Sequence, residues 1–113
     1  MRKDDRVRLQ HMHEAAGEAL SFAAGRSRAD LNRDRQLVLS LVKDIEIVGE
    51  AAARVSAEAR AALPAIPWAD IVGMRNRLIH GYYSVDLDRV WSTVSDDLPP
   101  LVQELARALG TEP

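Results

Sequence analysis

Arg75-Asn76-Arg77-Leu78-Ile79-His80-Gly81-Tyr82-Tyr83 places two guanidinium groups, an amide, an imidazole and two phenols within nine residues. The chain has three histidines and two tyrosines in all, so one of the former and both of the latter fall here. An arginine offers a planar fork of donors that matches phosphate oxygens. An imidazole such as that of His80 can take up or give a proton. Asn76 can hold the imidazole or a substrate, and Tyr82 can donate to phosphate or accept a transferred group on its hydroxyl. Such a set suits a phosphodiester or a nucleotide. On RNA, a base would take the proton of the 2′-OH, the oxygen would attack the adjacent phosphorus, and Arg75 would stabilise the developing charge without a metal. One motif histidine per chain leaves the second proton-transfer role unfilled, and a two-fold dimer sharing one cleft would fill it. A simpler account makes Arg75 one half of an internal ion pair with Glu46 or Glu50, which sit one turn apart. That account leaves His80, Asn76 and Tyr82 unexplained.

The elements that must carry these residues read as helices. Leu9, Met12, Ala16, Leu20 and Ala23 mark a first helix from about Asp4 or Asp5 to Ala24, with Gly25 as its stop. Ser27-Arg28-Ala29-Asp30 has the form of a helix start. A long helix over about Asp34 to Val55 has a face of Leu37, Leu41, Ile45, Val48, Ala52 and Val55, widened by Val38 and Val42. Leu39 and Ile47 fall outside that face, so burial on a second side, such as a subunit interface, is expected. Gly49 would allow a neighbouring helix to approach. Glu50 has the better claim to the cleft, Glu46 reads as solvated, and Lys43-Asp44 reads as ordinary surface. Ser56 caps a short helix to about Ala62, and Leu63-Pro64-Ala65-Ile66-Pro67 breaks the chain.

The motif helix then starts at Trp68. At about 100° per residue, Trp68, Ile71, Val72, Leu78 and Ile79 form its apolar face, with Arg75 in the middle, Asn76 and His80 on the flank and Arg77 on the far side. A helix C-terminus near His80 would favour its charged form. Ser84-Val85-Asp86 reads as a turn with an N-cap. The last helix keeps Val90, Trp91, Val94, Leu98, Leu101, Leu105 and Leu109 in phase across Pro99-Pro100, which predicts a kink there. The fold class is all-α: an antiparallel up-and-down bundle of about four main helices, forming one domain over residues 1–113.

Composition narrows the function classes. With no cysteine, disulfides, thiolate metal sites and a cysteine nucleophile are excluded, in keeping with a reducing, cytoplasmic location. No apolar run follows Met1-Arg2-Lys3, and nothing reaches the roughly 18 apolar residues of a membrane span, so neither secretion nor a membrane is expected. His11 and His13, two apart on a helix, do not share a face, and no metal site is read. The net charge of −2 argues against general RNA coating and for a narrow positive cleft or a structured substrate such as tRNA. The arginines at 26, 28, 33 and 35 are candidates for a local patch. Trp68 and Trp91 read as core.

Arg75-x-x-x-x-His80-x-Tyr82 resembles the signature of the HepT-like proteins, the toxin branch of the HEPN superfamily. The flanks resemble it too: Ile45 to Ala52, Ile66-Pro67-Trp68, Gly73-Met74, Val85-Asp86-Leu87, Val90-Trp91 and Asp97-Leu98-Pro99. The resemblance implies a helical-bundle homodimer whose paired motifs line a cleft. It implies a metal-independent endoribonuclease, the toxin of a type VII-like toxin–antitoxin module, with Arg75 and His80 catalytic and Asn76 auxiliary. Glu50 joins the auxiliary polar residues on its position alone. The implied partner is a minimal nucleotidyltransferase that moves AMP from ATP to Tyr82; ATP is that partner's AMP donor, and the chain itself needs no cofactor. A second reading keeps the fold as a non-catalytic module that binds nucleotide and such a partner.

Overall fold

The computed structural model describes residues 1–80 and 84–110. Two long helices form its base. α1 (Lys3–Ala23) lays Leu9, Met12, Ala16 and Ala19 against Leu41, Ile45, Val48 and Ala52 of α2 (Arg35–Ala53), and these positions are fully buried. A 3-10 turn over Arg28–Asn32 joins them, opened by a capping box between Ser27 and Asp30. Asp34 caps α2 by accepting from the Leu37 N–H at 3.0 Å. α3 (Ala57–Ala62) is capped by Ser56, as the sequence indicates. Ser56 also donates, from N–H at 2.8 Å and Oγ at 2.7 Å, to buried Asp5 inside the first turn of α1. These donors, the backbone one first, hold the Asp5 carboxyl below the usual range.

The expected motif helix is two short ones, α4 (Trp68–Val72) and α5 (Met74–Leu78), joined at Gly73. The segment then leaves the helix altogether. Ile79–His80 (β1) pairs antiparallel with Ser84–Val85 (β2), Ile79 opposite Val85 and His80 opposite Ser84. Two β-branched residues at the paired positions favour this ladder over a further helical turn.

α6 (Leu87–Ser92) runs into a π-helical turn over Thr93–Asp97 and then α7 (Leu98–Leu109), so Val90, Val94, Leu98, Leu101, Leu105 and Leu109 stay buried along one continuous run. The irregularity lies just before the expected Pro99-Pro100 position, and its cause is the same. Two successive residues without an N–H cannot bond the carbonyls of Ser95 and Asp96. Those residues are exposed, so water can satisfy them, while the Leu98 N–H reaches back to the Thr93 carbonyl in a wider turn. α7 closes against α1, and the Arg6 guanidinium donates to the Leu109 carbonyl at 2.9 Å. The fold is the all-α bundle expected, 19 Å through its thinnest direction, about two helix layers. Among the described residues, no helix is long and apolar enough to cross a membrane.

Candidate functional site

Gly49 sets where α4 and α5 lie. A Cβ there would stand 3.3 Å from the Ile71 carbonyl oxygen and 3.6 Å from that of Val72, so only glycine lets α2 and α4 meet this closely. The break at Gly73 then resets the helical phase. Ile71, Met74 and Leu78 carry the buried stripe, and Val72 is left exposed. Arg75, expected in the middle of the apolar face, lies at the edge of the stripe with its side chain 47% exposed. A guanidinium with a route to solvent takes it, because burial without full pairing is costly.

Arg75 is nevertheless held. Its Nε donates to Glu46 Oε2 at 2.8 Å, across from α5 to α2. The bond from Arg75, with Lys43 adding to it, holds the Glu46 carboxyl below its ordinary range despite partial burial. Of the two carboxylates that the sequence offers to Arg75, Glu46 makes the contact, although Glu50 has the better claim from position; Glu50 is exposed. Glu46 engages Nε, so this pairing does not itself use the two terminal nitrogens of the guanidinium.

His80 is 66% exposed in β1 and not at a helix C-terminus, so the dipole argument does not apply to it. Its Nε2 lies 3.7 Å from Asp86 Oδ2. Asp86 was legible only as an N-cap. It does cap α6, its Oδ1 accepting from the Arg89 N–H at 3.1 Å, while its own N–H donates to the Leu78 carbonyl at 2.7 Å. The backbone bond from Arg89, then the neighbouring His80, keep this carboxyl below the usual range, so it is ionised at neutral pH. Asn76 is exposed beside Arg75. Tyr82 and Tyr83 lie outside the described residues. Arg77 leaves the group, as expected: it donates to the Asp70 carbonyl at 2.8 Å and lines a cavity of about 540 Å³ with Arg89, Asp96 and Asp97. Neither Arg75 nor His80 lines that cavity.

Other expectations divide. Trp68 is half-buried, donating to the Leu63 carbonyl at 3.1 Å under the Arg60 guanidinium, and Trp91 packs on the core. Ile47 packs on the core too, whereas Leu39 is 49% exposed. The arginine patch dissolves into ion pairs, Arg26 with Asp30 and Asp34, Arg33 with Asp30 and Arg28 with Asp88. Asp44, read as surface, is 2% exposed, and its Oδ2 has no hydrogen-bond partner. Burial first, and the Glu18 carboxyl second, push Asp44 up to about 7. Among the described residues, no three metal-binding side chains gather in a ligand-like group.

The chemistry on hand is thus an exposed guanidinium and an exposed imidazole, each beside a carboxylate from another element. The sequence profile described as Ribonuclease HepT-like matches residues 12–108. A protein of Caldanaerobacter subterraneus subsp. tengcongensis, provisionally named as an RNase, is 31% identical over 110 residues, 97% of this chain and 98% of its own. One from Thermococcus cleftensis, named "Probable ribonuclease HepT", is 30% identical over 101 residues, 89% of this chain and 92% of its own. A Methanocaldococcus jannaschii protein, also provisionally named as an RNase, is 27% identical over 104 residues, 92% of this chain and 95% of its own. No solved structure matches the chain at a significant level.

Proposed function

The chain belongs to the Ribonuclease HepT-like family, and on that premise we propose that it is a metal-independent endoribonuclease, the toxin of a two-gene module. The observation that supports this most is Arg75: exposed, gripped at Nε by Glu46, and followed five residues on by an exposed imidazole that has a carboxylate of its own beside it. In the proposed step, neutral His80 takes the 2′-OH proton and O2′ attacks phosphorus. The bond to the 5′ oxygen breaks, leaving a 2′,3′-cyclic phosphate. Arg75 donates to the non-bridging oxygens as charge grows on them.

The leaving 5′ oxygen needs a proton. A homodimer would let the partner's His80 give it, with both motifs facing one cleft. The exposed apolar side chains Leu39 and Val72 on α2 and α4 are available to such an interface. Asn76 would be an auxiliary donor to substrate. Glu50 takes no part in this reading, because Glu46 fills the carboxylate role assigned to it. Intact RNA should yield fragments with cyclic phosphate and 5′-hydroxyl ends; fragments bearing 3′-hydroxyl ends would contradict the step.

The off-switch in this reading is Tyr82. Its phenol oxygen would attack the α-phosphorus of ATP on a minimal nucleotidyltransferase, releasing pyrophosphate and leaving a bulky anion two residues from His80. Co-expression with that partner should add one or more AMP masses, and Tyr82→Phe should abolish the addition. AMP found on another residue would refute this assignment.

A further inference from the structure

We propose that Asp86 is a positioning residue that fixes the imidazole of His80, turning Nε2–H toward its carboxylate and leaving Nδ1 as the nitrogen that faces substrate.

The geometry rests on three ties that converge on one residue, one through its backbone and two through its carboxylate. The Asp86 N–H donates to the Leu78 carbonyl at 2.7 Å, the last residue of α5, which closes the two-stranded ladder just beyond β2. Its Oδ1 accepts from the Arg89 N–H at 3.1 Å and so begins α6. Only Oδ2 is then left, and it is the atom 3.7 Å from His80 Nε2. The carboxylate cannot turn away without giving up the cap. An ionised carboxylate has lone pairs only, so the ring nitrogen that faces it must carry the hydrogen in the neutral imidazole. The other nitrogen, Nδ1, is then unprotonated and able to accept a proton. At 3.7 Å the two atoms are neighbours just beyond direct hydrogen-bond reach; in substrate-free sites catalytic contacts are often long and tighten in the complex.

The cap also makes the arrangement testable without unfolding the helix. Asparagine caps about as well as aspartate. In Asp86→Asn the amide oxygen must keep the Arg89 N–H, so the amide NH2 turns to the imidazole. A donor there requires an acceptor on the ring, which moves the hydrogen to Nδ1 and takes the base away from substrate. Asp86→Ser is a second variant: it retains a capping oxygen but is too short to reach His80.

The experiment is nitrogen-15 NMR of the histidine side chains at about pH 9, where an ordinary histidine is neutral, with the His80 signal identified by its loss in His80→Ala. The native protein should show the Nε2–H tautomer at His80. Asp86→Asn should show Nδ1–H, and Asp86→Ser a mixture of both. Cleavage by Asp86→Asn should fall roughly 10²-fold in kcat with KM little changed, within the range a misplaced base produces. A native His80 already in the Nδ1–H form, or one unmoved by Asp86→Asn, would overturn the proposal. The choice of Nδ1 as working nitrogen rests on the ribonuclease reading, but the tautomer is read in the free protein. A tautomer that moves as stated in a chain that never cleaves RNA would therefore refute the ribonuclease and leave the positioning role standing.

Discussion

Glu46 is the residue on which the geometry of Arg75 depends. Its carboxylate takes the Nε hydrogen at 2.8 Å and so decides which donors of the fork remain for a phosphate. Glu46→Gln keeps an acceptor but loses the charge, so the hold weakens without disappearing. Its cleavage rate should fall about 10-fold, against 10²-fold or more for Arg75→Ala, since oxyanion-type donors contribute on the order of 10²–10³. Initial rates on one RNA measure both, and equal losses in the two variants would show that Glu46 does more than aim its partner. The pairing was half visible in the sequence. Glu46 and Glu50 both qualified by spacing, but the choice between them depends on where α5 crosses α2, which no single-helix projection contains. Asp86 was hidden for a related reason. An aspartate before a helix is fully explained as a cap, and its second oxygen finds His80 only because the chain leaves the helix at Ile79.

At the scale of elements, the all-α class, the caps at Ser56 and Asp86 and the apolar stripes of α1 and α2 were all legible, because each follows from local periodicity or a local hydrogen bond. The break at Gly73 and the ladder after it were not. An ideal wheel assumes one continuous helix from Trp68, and one lost step redirects every later side chain, Arg75 included. Gly49 tests how closely the site depends on helix contact. Alanine is worth up to about 1 kcal/mol over glycine inside a helix. Here its Cβ would meet the Ile71 carbonyl oxygen at 3.3 Å, a backbone atom that cannot swing aside. Overpacking of this kind costs roughly 1–3 kcal/mol. The clash should win, lowering the melting temperature of Gly49→Ala by a few degrees and cleavage with it, as α4 and α5 are displaced. A rise in melting temperature would mean that α4 yields freely and does not hold the site.

Over the whole molecule, the packing of α1 on α2 buries a carboxyl that neither helix alone would. Asp44 sits beside Glu18, its Oδ2 unpaired, raised to about 7. Because the folded state keeps this proton where the unfolded chain, near 3.8, has lost it, the contribution is fully favourable below about pH 4 and is lost as pH rises to 7. Asp5, Asp30, Asp34, Glu46 and Asp86 run the opposite way, their stabilisation lost as pH falls through their lowered values. Asp44→Asn should therefore raise the melting temperature at pH 8, by on the order of 5 °C, and have little effect at pH 4; the same gain at both values would show that Asp44 does not titrate in this range. These charges hold the bundle that presents Arg75 and His80, and the central claim concerns what those two residues do there. The most direct measurement is the integrity of total RNA incubated with purified, unmodified protein in excess EDTA, beside His80→Ala of equal fold content. The ribonuclease account predicts cleavage that survives the chelator and is lost in the variant. RNA left equally intact by both proteins, or cut equally by both, would contradict it.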